Sequence, residues 1–114
     1  MIQRRSWSGT AADAQLLRRC KEAVTTAAPG AEVILYGSRA RGDARSDSDY
    51  DIIVVVDGHV NMAIKNRIRS TVYPLELDTG AVITLIIHSR QKWDSPLYRA
   101  MPFHKNVERE GVLL

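Results

Sequence analysis

An α/β (α+β) fold, built as a small mixed sheet with helices packed on one face in the order α-β-β-α-β-α, is what this sequence predicts. Two short apolar runs bounded by turn residues, Glu32-Val33-Ile34-Leu35-Tyr36 and Ile52-Ile53-Val54-Val55-Val56, read as strands near 32–36 and 50–56. Four-residue apolar repeats on either side of them read as helices, and a third run follows at 81–88. Ala12, Leu16, Cys20, Val24 and Ala27 mark one face of a first helix from about Thr10 to Ala28, ended by Pro29-Gly30. Val60, Ile64, Ile68 and Val72 mark a second helix over about 60–72, with Pro74 as its stop. Ala81 to His88 is apolar nearly throughout, which predicts a central strand. A short helical turn is expected at Ser89, and a last helix from Pro102 or Phe103 to Glu110, with proline at its start and Gly111 just past its end.

The bulk properties set bounds on function. At 114 residues the chain is expected to form one domain, 1–114, with its own core but no second lobe for an acceptor. A composition 45% hydrophobic and 25% charged is ordinary for a water-soluble globular protein. No stretch is apolar for long enough to span a bilayer, and Met1 to Gly9 lacks the apolar centre of a signal peptide. The lone cysteine, Cys20, permits no internal disulfide and reads as a small core residue suited to a reducing cytoplasm. Net charge is only +3, without a basic helix or an aromatic stacking stripe, which argues against duplex DNA as a partner.

The informative segment lies between the first two strands. Gly37-Ser38 is followed, after ten residues, by Asp49-Tyr50-Asp51. Alternation along a strand puts Asp49 and Asp51 on one face about 7 Å apart, where two carboxylates converge on one or two cations. Two acids in one place repel each other, and a divalent ion offsets that charge. Gly37 ends the preceding strand where a side chain would block close approach to a ligand. Ser38 is expected to N-cap a short helical turn through Ala40 and Arg41, leaving N–H groups free for phosphate. Arg39, Arg41 and Arg45 cluster in the interval, either to neutralise phosphate oxygens or as a solvated turn pairing with Asp43 and Asp47.

On these residues, with Arg39-Ala40-Arg41-Gly42 and Ser48 filling the interval, the chain resembles the minimal nucleotidyltransferase proteins of the DNA polymerase β-like superfamily. Among these are the antitoxin halves of HEPN/MNT toxin–antitoxin pairs. The likeness is tightest over 33–56 and looser over 93–97 and 106–112. It implies a polymerase β-like nucleotidyltransferase fold and transfer of a nucleoside monophosphate, AMP from ATP foremost, to a hydroxyl of a partner protein. It also implies Asp49 and Asp51 on Mg2+, in a one- or two-ion site, as the catalytic pair. Gly37, Ser38, Arg39, Arg41 and Ser48 would hold the triphosphate of ATP or another NTP. The implied partner is a HEPN-domain toxin-like protein in a hetero-oligomer, with a homodimer left open.

One expected part is missing. Active members of the wider superfamily carry a third carboxylate on the strand after the second helix, where it joins the metal and draws a proton. Here that strand, Ala81-Val82-Ile83-Thr84-Leu85-Ile86-Ile87-His88, holds no acid, and Thr84 is the candidate for the vacated position. His88 is a second, weaker candidate base, and Glu76 and Asp78 precede the strand within reach of it. Two readings follow. The first is an enzyme that relies on two carboxylates and positioning. The alternative is a weak or inactive nucleotide-binding antitoxin or regulatory subunit that covers its partner directly, docking through Trp93, Leu97, Tyr98 and Phe103. Transfer to a small molecule is a third and weaker reading, because no substrate-holding lobe follows the motif.

Overall fold

The computed structural model describes residues 1–114. Its frame is a five-stranded mixed sheet built from β1 (Ile2–Gln3), β2 (Glu32–Tyr36), β3 (Tyr50–Val56), β4 (Ile83–Ser89) and β5 (Val112–Leu113), in the order β1-β5-β2-β3-β4. β2 runs antiparallel to both β3 and β5, while β3–β4 and β1–β5 are parallel. The helices are α1 (Ala11–Ala27), α2 (Ser38–Arg41), α3 (Met62–Thr79), α4 (Arg90–Trp93), α5 (Pro96–Arg99) and α6 (Pro102–Glu110). The predicted succession of helix, strand, strand, helix, strand, helix is present as α1, β2, β3, α3, β4 and α6. No helix is long and apolar enough to cross a membrane.

Local chemistry explains the element ends. Thr10 caps α1 by accepting from Asp13 N at 3.1 Å, and Asn61 caps α3 by accepting from Ile64 N at 2.9 Å. Gly80, at φ 74°, ends α3 in the left-handed region that other residues avoid. Pro74 does not stop this helix, as its sequence suggested. It sits inside α3, whose exposed side carries both Pro74 and Ser70, so the carbonyl deprived of its donor turns to water.

The sheet divides two cores. Val33 and Leu35 of β2, Ile52, Val54 and Val56 of β3, and Ile83 and Ile87 of β4 pack under α1 and α3, against Leu17, Cys20, Val24, Ile68 and Val72. The alternate residues Ile34, Ile53 and Val55 face the other way and meet Trp93 and Val107 of α4 and α6. The long helices thus cover one face as expected, and short C-terminal helices add a partial layer on the other. β4, expected to be central, is an edge strand paired only with β3. Its apolar run comes from having packed layers on both faces, which periodicity cannot distinguish from having neighbours on both sides. Cys20 is fully buried, and burial, helped by Glu76, pushes its thiol up to about 12, so it is a packing residue and not a nucleophile.

Candidate active site

β2 ends at Tyr36 and the chain turns through Gly37 into α2. Gly37 has φ 79° and ψ −155°, a combination essentially confined to glycine. A Cβ at this position would collide with Asp51 Oδ2, so the missing side chain is what lets the carboxylate lie against the turn. Gly37, not Ser38, takes the cap position: Ala40 N and Arg41 N donate to its carbonyl at 3.0 and 3.1 Å, and no side chain caps the helix. Ser38 is the first helical residue. Its own N–H and that of Arg39 have no acceptor within so short a helix.

Asp51 leaves β3 on the face opposite α1 and α3, since its neighbours Tyr50 and Ile52 both enter the larger core. Burial first, then the charge of Asp49, raises its carboxyl above the ordinary range, and Arg41 partly opposes them. Those causes place both acids and Arg41 in one electrostatic neighbourhood. Arg41 is half-exposed and leans on two acids, Asp43 at 3.3 Å and Glu110 at 3.6 Å, so the end of α6 borders the same site. The β3–β4 register pairs Asp51 with Thr84. Same-face neighbours on paired strands are about 5 Å apart, so the hydroxyl stands beside the carboxylate.

The other predicted residues separate. Arg39 turns away from this face, onto the side of α1. Its guanidinium donates to the carbonyl oxygens of Ser46 (3.2 Å) and Ser48 (2.9 Å), lies 4.3 Å over the Tyr50 ring and pairs with Asp13 at 3.4 Å. So engaged, it is not placed to hold phosphate, which corrects the sequence expectation. Ser48 Oγ accepts from Arg45 N at 2.9 Å and shapes the loop before Asp49, while the Arg45 side chain makes no ion pair. Glu76 accepts from Ile83 N at 2.9 Å and Asp78 pairs with Arg19 at 2.8 Å, so both acids are engaged away from the motif. His88 shares the face of Thr84 but lies four residues on, about 13 Å along the strand. It hydrogen-bonds Tyr98 Oη at 2.7 Å, and burial lowers its pKa, which keeps it neutral. Trp93 is buried and Tyr98 and Phe103 are half-buried in the smaller core, so of the expected docking residues only Leu97, 80% exposed, faces solvent.

Sequence reading did not single out Asp13, Tyr36, Tyr50 or Glu110. Tyr36 pairs with Asp51 across β2–β3 and packs edge-on against Phe103, forming the aromatic wall of the site. Its only sequence signal is its place immediately before Gly37. The largest cleft, about 630 Å³, is lined by Gln15, Arg19, Arg39, Ser46 and Tyr50 on the α1 side, and contains neither Asp49 nor Asp51. The absence of a deep cavity at the carboxylates does not count against them, because an open sheet face needs none to bind a charged ligand.

The donor set fits magnesium. Two hard carboxylates, Asp51 partly desolvated and repelled by the exposed Asp49, are the usual protein share of a Mg2+ site whose remaining ligands are water and phosphate. No third His, Cys, Asp or Glu joins them in a cluster.

Comparison with known families matches residues 17–108 to the nucleotidyltransferase domain. A Methanocaldococcus jannaschii protein carrying the name of a protein adenylyltransferase is 35% identical over 83 residues, which are 73% of this chain and 76% of that one. A crystal structure from Sulfolobus solfataricus, described as a nucleotidyltransferase, is 24% identical, with a TM-score of 0.49 over 93% of this chain and 87% of its own.

Proposed function

We propose that this chain, which belongs to the nucleotidyltransferase domain family, transfers AMP from ATP to a hydroxyl of a partner protein, with Mg2+ held by Asp49 and Asp51. One observation carries the reading: Asp51 lies against a turn that only glycine permits, in the electrostatic neighbourhood of a second acid, Asp49, and of Arg41. The name of the M. jannaschii relative supports both the adenylyl group and the protein acceptor.

In this mechanism Ser38 and the free N–H groups at the start of α2 grip the triphosphate. Arg41 exchanges Asp43 and Glu110 for the β- and γ-phosphates and neutralises the departing pyrophosphate. Magnesium, when bound, neutralises charge on the phosphates. The acceptor oxygen attacks the α-phosphorus while its bond to the bridging oxygen breaks, so AMP is joined to the acceptor and pyrophosphate leaves. With Thr84 beside Asp51, the acceptor proton passes to solvent or to a group of the acceptor itself. Catalysis then rests on positioning and charge neutralisation. One sheet supplies one wall, so the partner supplies the other, and a HEPN-domain RNase toxin is the partner this reading names.

The presence of Thr84 where a carboxylate would serve favours one second reading, an antitoxin that binds nucleotide but neutralises its partner by covering it. The two separate cleanly. Purified protein, Mg2+, the partner and ATP labelled at the α-phosphate should put label on the partner, whereas γ-labelled ATP should not. Asp49→Asn should abolish both label and neutralisation. Neutralisation that survives Asp49→Asn, with no label in either protein, establishes the covering reading instead.

A further inference from the structure

We infer that Arg39 is the positioning residue for Asp49, a clamp acting from the opposite face of the sheet to the nucleotide. The inference deepens the proposed function and rests on its assignment of Asp49 to the metal.

Asp49 is exposed and lies just outside β3, at the end of a segment, residues 42–49, that has no helix or strand of its own. Its carboxylate therefore inherits its direction from the residues on either side. Arg39 holds both. Nε and Nη2 donate to Ser48 O at 3.3 and 2.9 Å, fixing the residue before Asp49 by its carbonyl. The guanidinium plane lies 4.3 Å over the ring of Tyr50, fixing the residue after it. Nη2 also reaches Ser46 O at 3.2 Å, so the last turn of the loop is held at two carbonyls.

The clamp is itself anchored. Asp13, in the first turn of α1, accepts from Arg39 Nη1 at 3.4 Å and from the Tyr50 hydroxyl through the same oxygen. Trp7 Nε1 donates to Arg39 O at 3.2 Å, fixing the backbone from which the side chain springs. The side chains of Arg39 and Asp13 are only 12% and 15% exposed, so each charge depends on the other for compensation. A planar fork that reaches two carbonyls while stacking on a ring is available to arginine and not to lysine. The arrangement resembles a hydrogen bond to the far side of a metal ligand: the holding residue never touches the ion, yet sets where the ligand points.

The test is a double-mutant cycle on the full chain, with Arg39→Gln and Arg39→Lys each crossed with Asp49→Asn. Binding of the Mn2+ complex of a non-hydrolysable ATP is read by electron paramagnetic resonance, and folding by circular dichroism. Arg39→Gln should weaken Mn2+ binding by about tenfold or more in protein that remains folded, the range seen when a ligand's outer support is removed. Arg39→Lys, which keeps the charge but not the fork, should also weaken it. In the Asp49→Asn background neither change should weaken binding further. If Arg39→Gln does not fold, the Arg39→Lys cycle decides in the same way. A folded Arg39 variant with wild-type Mn2+ affinity, or one whose loss persists in full without Asp49, overturns the clamp and leaves the metal reading intact. Full Mn2+ affinity in Asp49→Asn itself overturns both.

Discussion

The two faces of β3 differ in what their residues do. Tyr50, Ile52, Val54 and Val56 point under α1 and α3 into a core that contains Leu17, Cys20 and Val24 with no measurable exposure. Asp51, Ile53 and Val55, on the same seven residues, point the other way. There the short helices α4 to α6 cover Ile53 and Val55 and leave Asp51 at the margin. One strand thus supplies stability from one set of alternate residues and, on the proposed function, chemistry from the other. The larger core can hold the strand rigid while Asp51 remains partly desolvated and repelled by Asp49, an arrangement unfavourable to the apo protein and favourable to a cation.

This division can be broken from either side. Asp49→Asn or Asp51→Asn should reduce nucleotidyl transfer by about 10²–10³-fold, the scale of losing a preorganised charge contact, with the circular dichroism spectrum unchanged. Leu17→Ala, on the scaffold side, should cost about 2–5 kcal/mol in urea unfolding while leaving turnover per folded molecule intact. Gly37→Ala touches both properties. The added Cβ meets Asp51 Oδ2 in a backbone region reserved for glycine, so about 1–3 kcal/mol of stability should go together with most of the activity.

The smaller effects sharpen the same contrast. Because the folded protein raises the Asp51 pKa, its ionised form is disfavoured by folding, and that penalty is present in full at neutral pH. It is relieved as pH falls through the raised value toward that of an unfolded aspartate. Asp51→Asn should therefore raise the melting temperature of the metal-free protein slightly at neutral pH, and this gain should vanish in acid. Thr84→Asp, returning a carboxylate beside Asp51, should do the reverse: lower the metal-free melting temperature and enlarge the stabilisation by Mg2+.

Much of this organisation is legible in the sequence, for identifiable reasons. β2, β3, α1 and α6 announce themselves because apolar period, cap and breaker agree at each. The Gly37-Ser38 and Asp49-x-Asp51 pattern is readable as spacing, but alternation places only Asp51, because β3 begins at Tyr50 and Asp49 lies in the loop before it. The β4 misreading has a physical origin: an apolar run reports covered faces, and Ile83 and Ile87 face one core while half-buried Ile86 packs against the other. β1 and β5, two residues each, are too short to carry a period. Pro74 deceived because the cost of a missing donor depends on whether the freed carbonyl can reach water, which spacing does not tell. Arg39 and Arg41 are two residues apart in one basic cluster, yet one is buried beneath the loop and the other faces the acids. That difference is set by the turn of α2, which puts residues two apart on nearly opposite sides, and by Asp13, twenty-six positions upstream.

The most direct test of the central claim is equilibrium binding of ATP by calorimetry, with and without Mg2+, to the wild-type chain and to Asp51→Asn. The wild type should bind ATP more tightly when Mg2+ is present, and Asp51→Asn should lose that increment while retaining the metal-free affinity supplied by Ser38 and the α2 turn. An Mg2+ increment undiminished in Asp51→Asn would contradict the assignment of this sheet face to a metal-bound nucleotide.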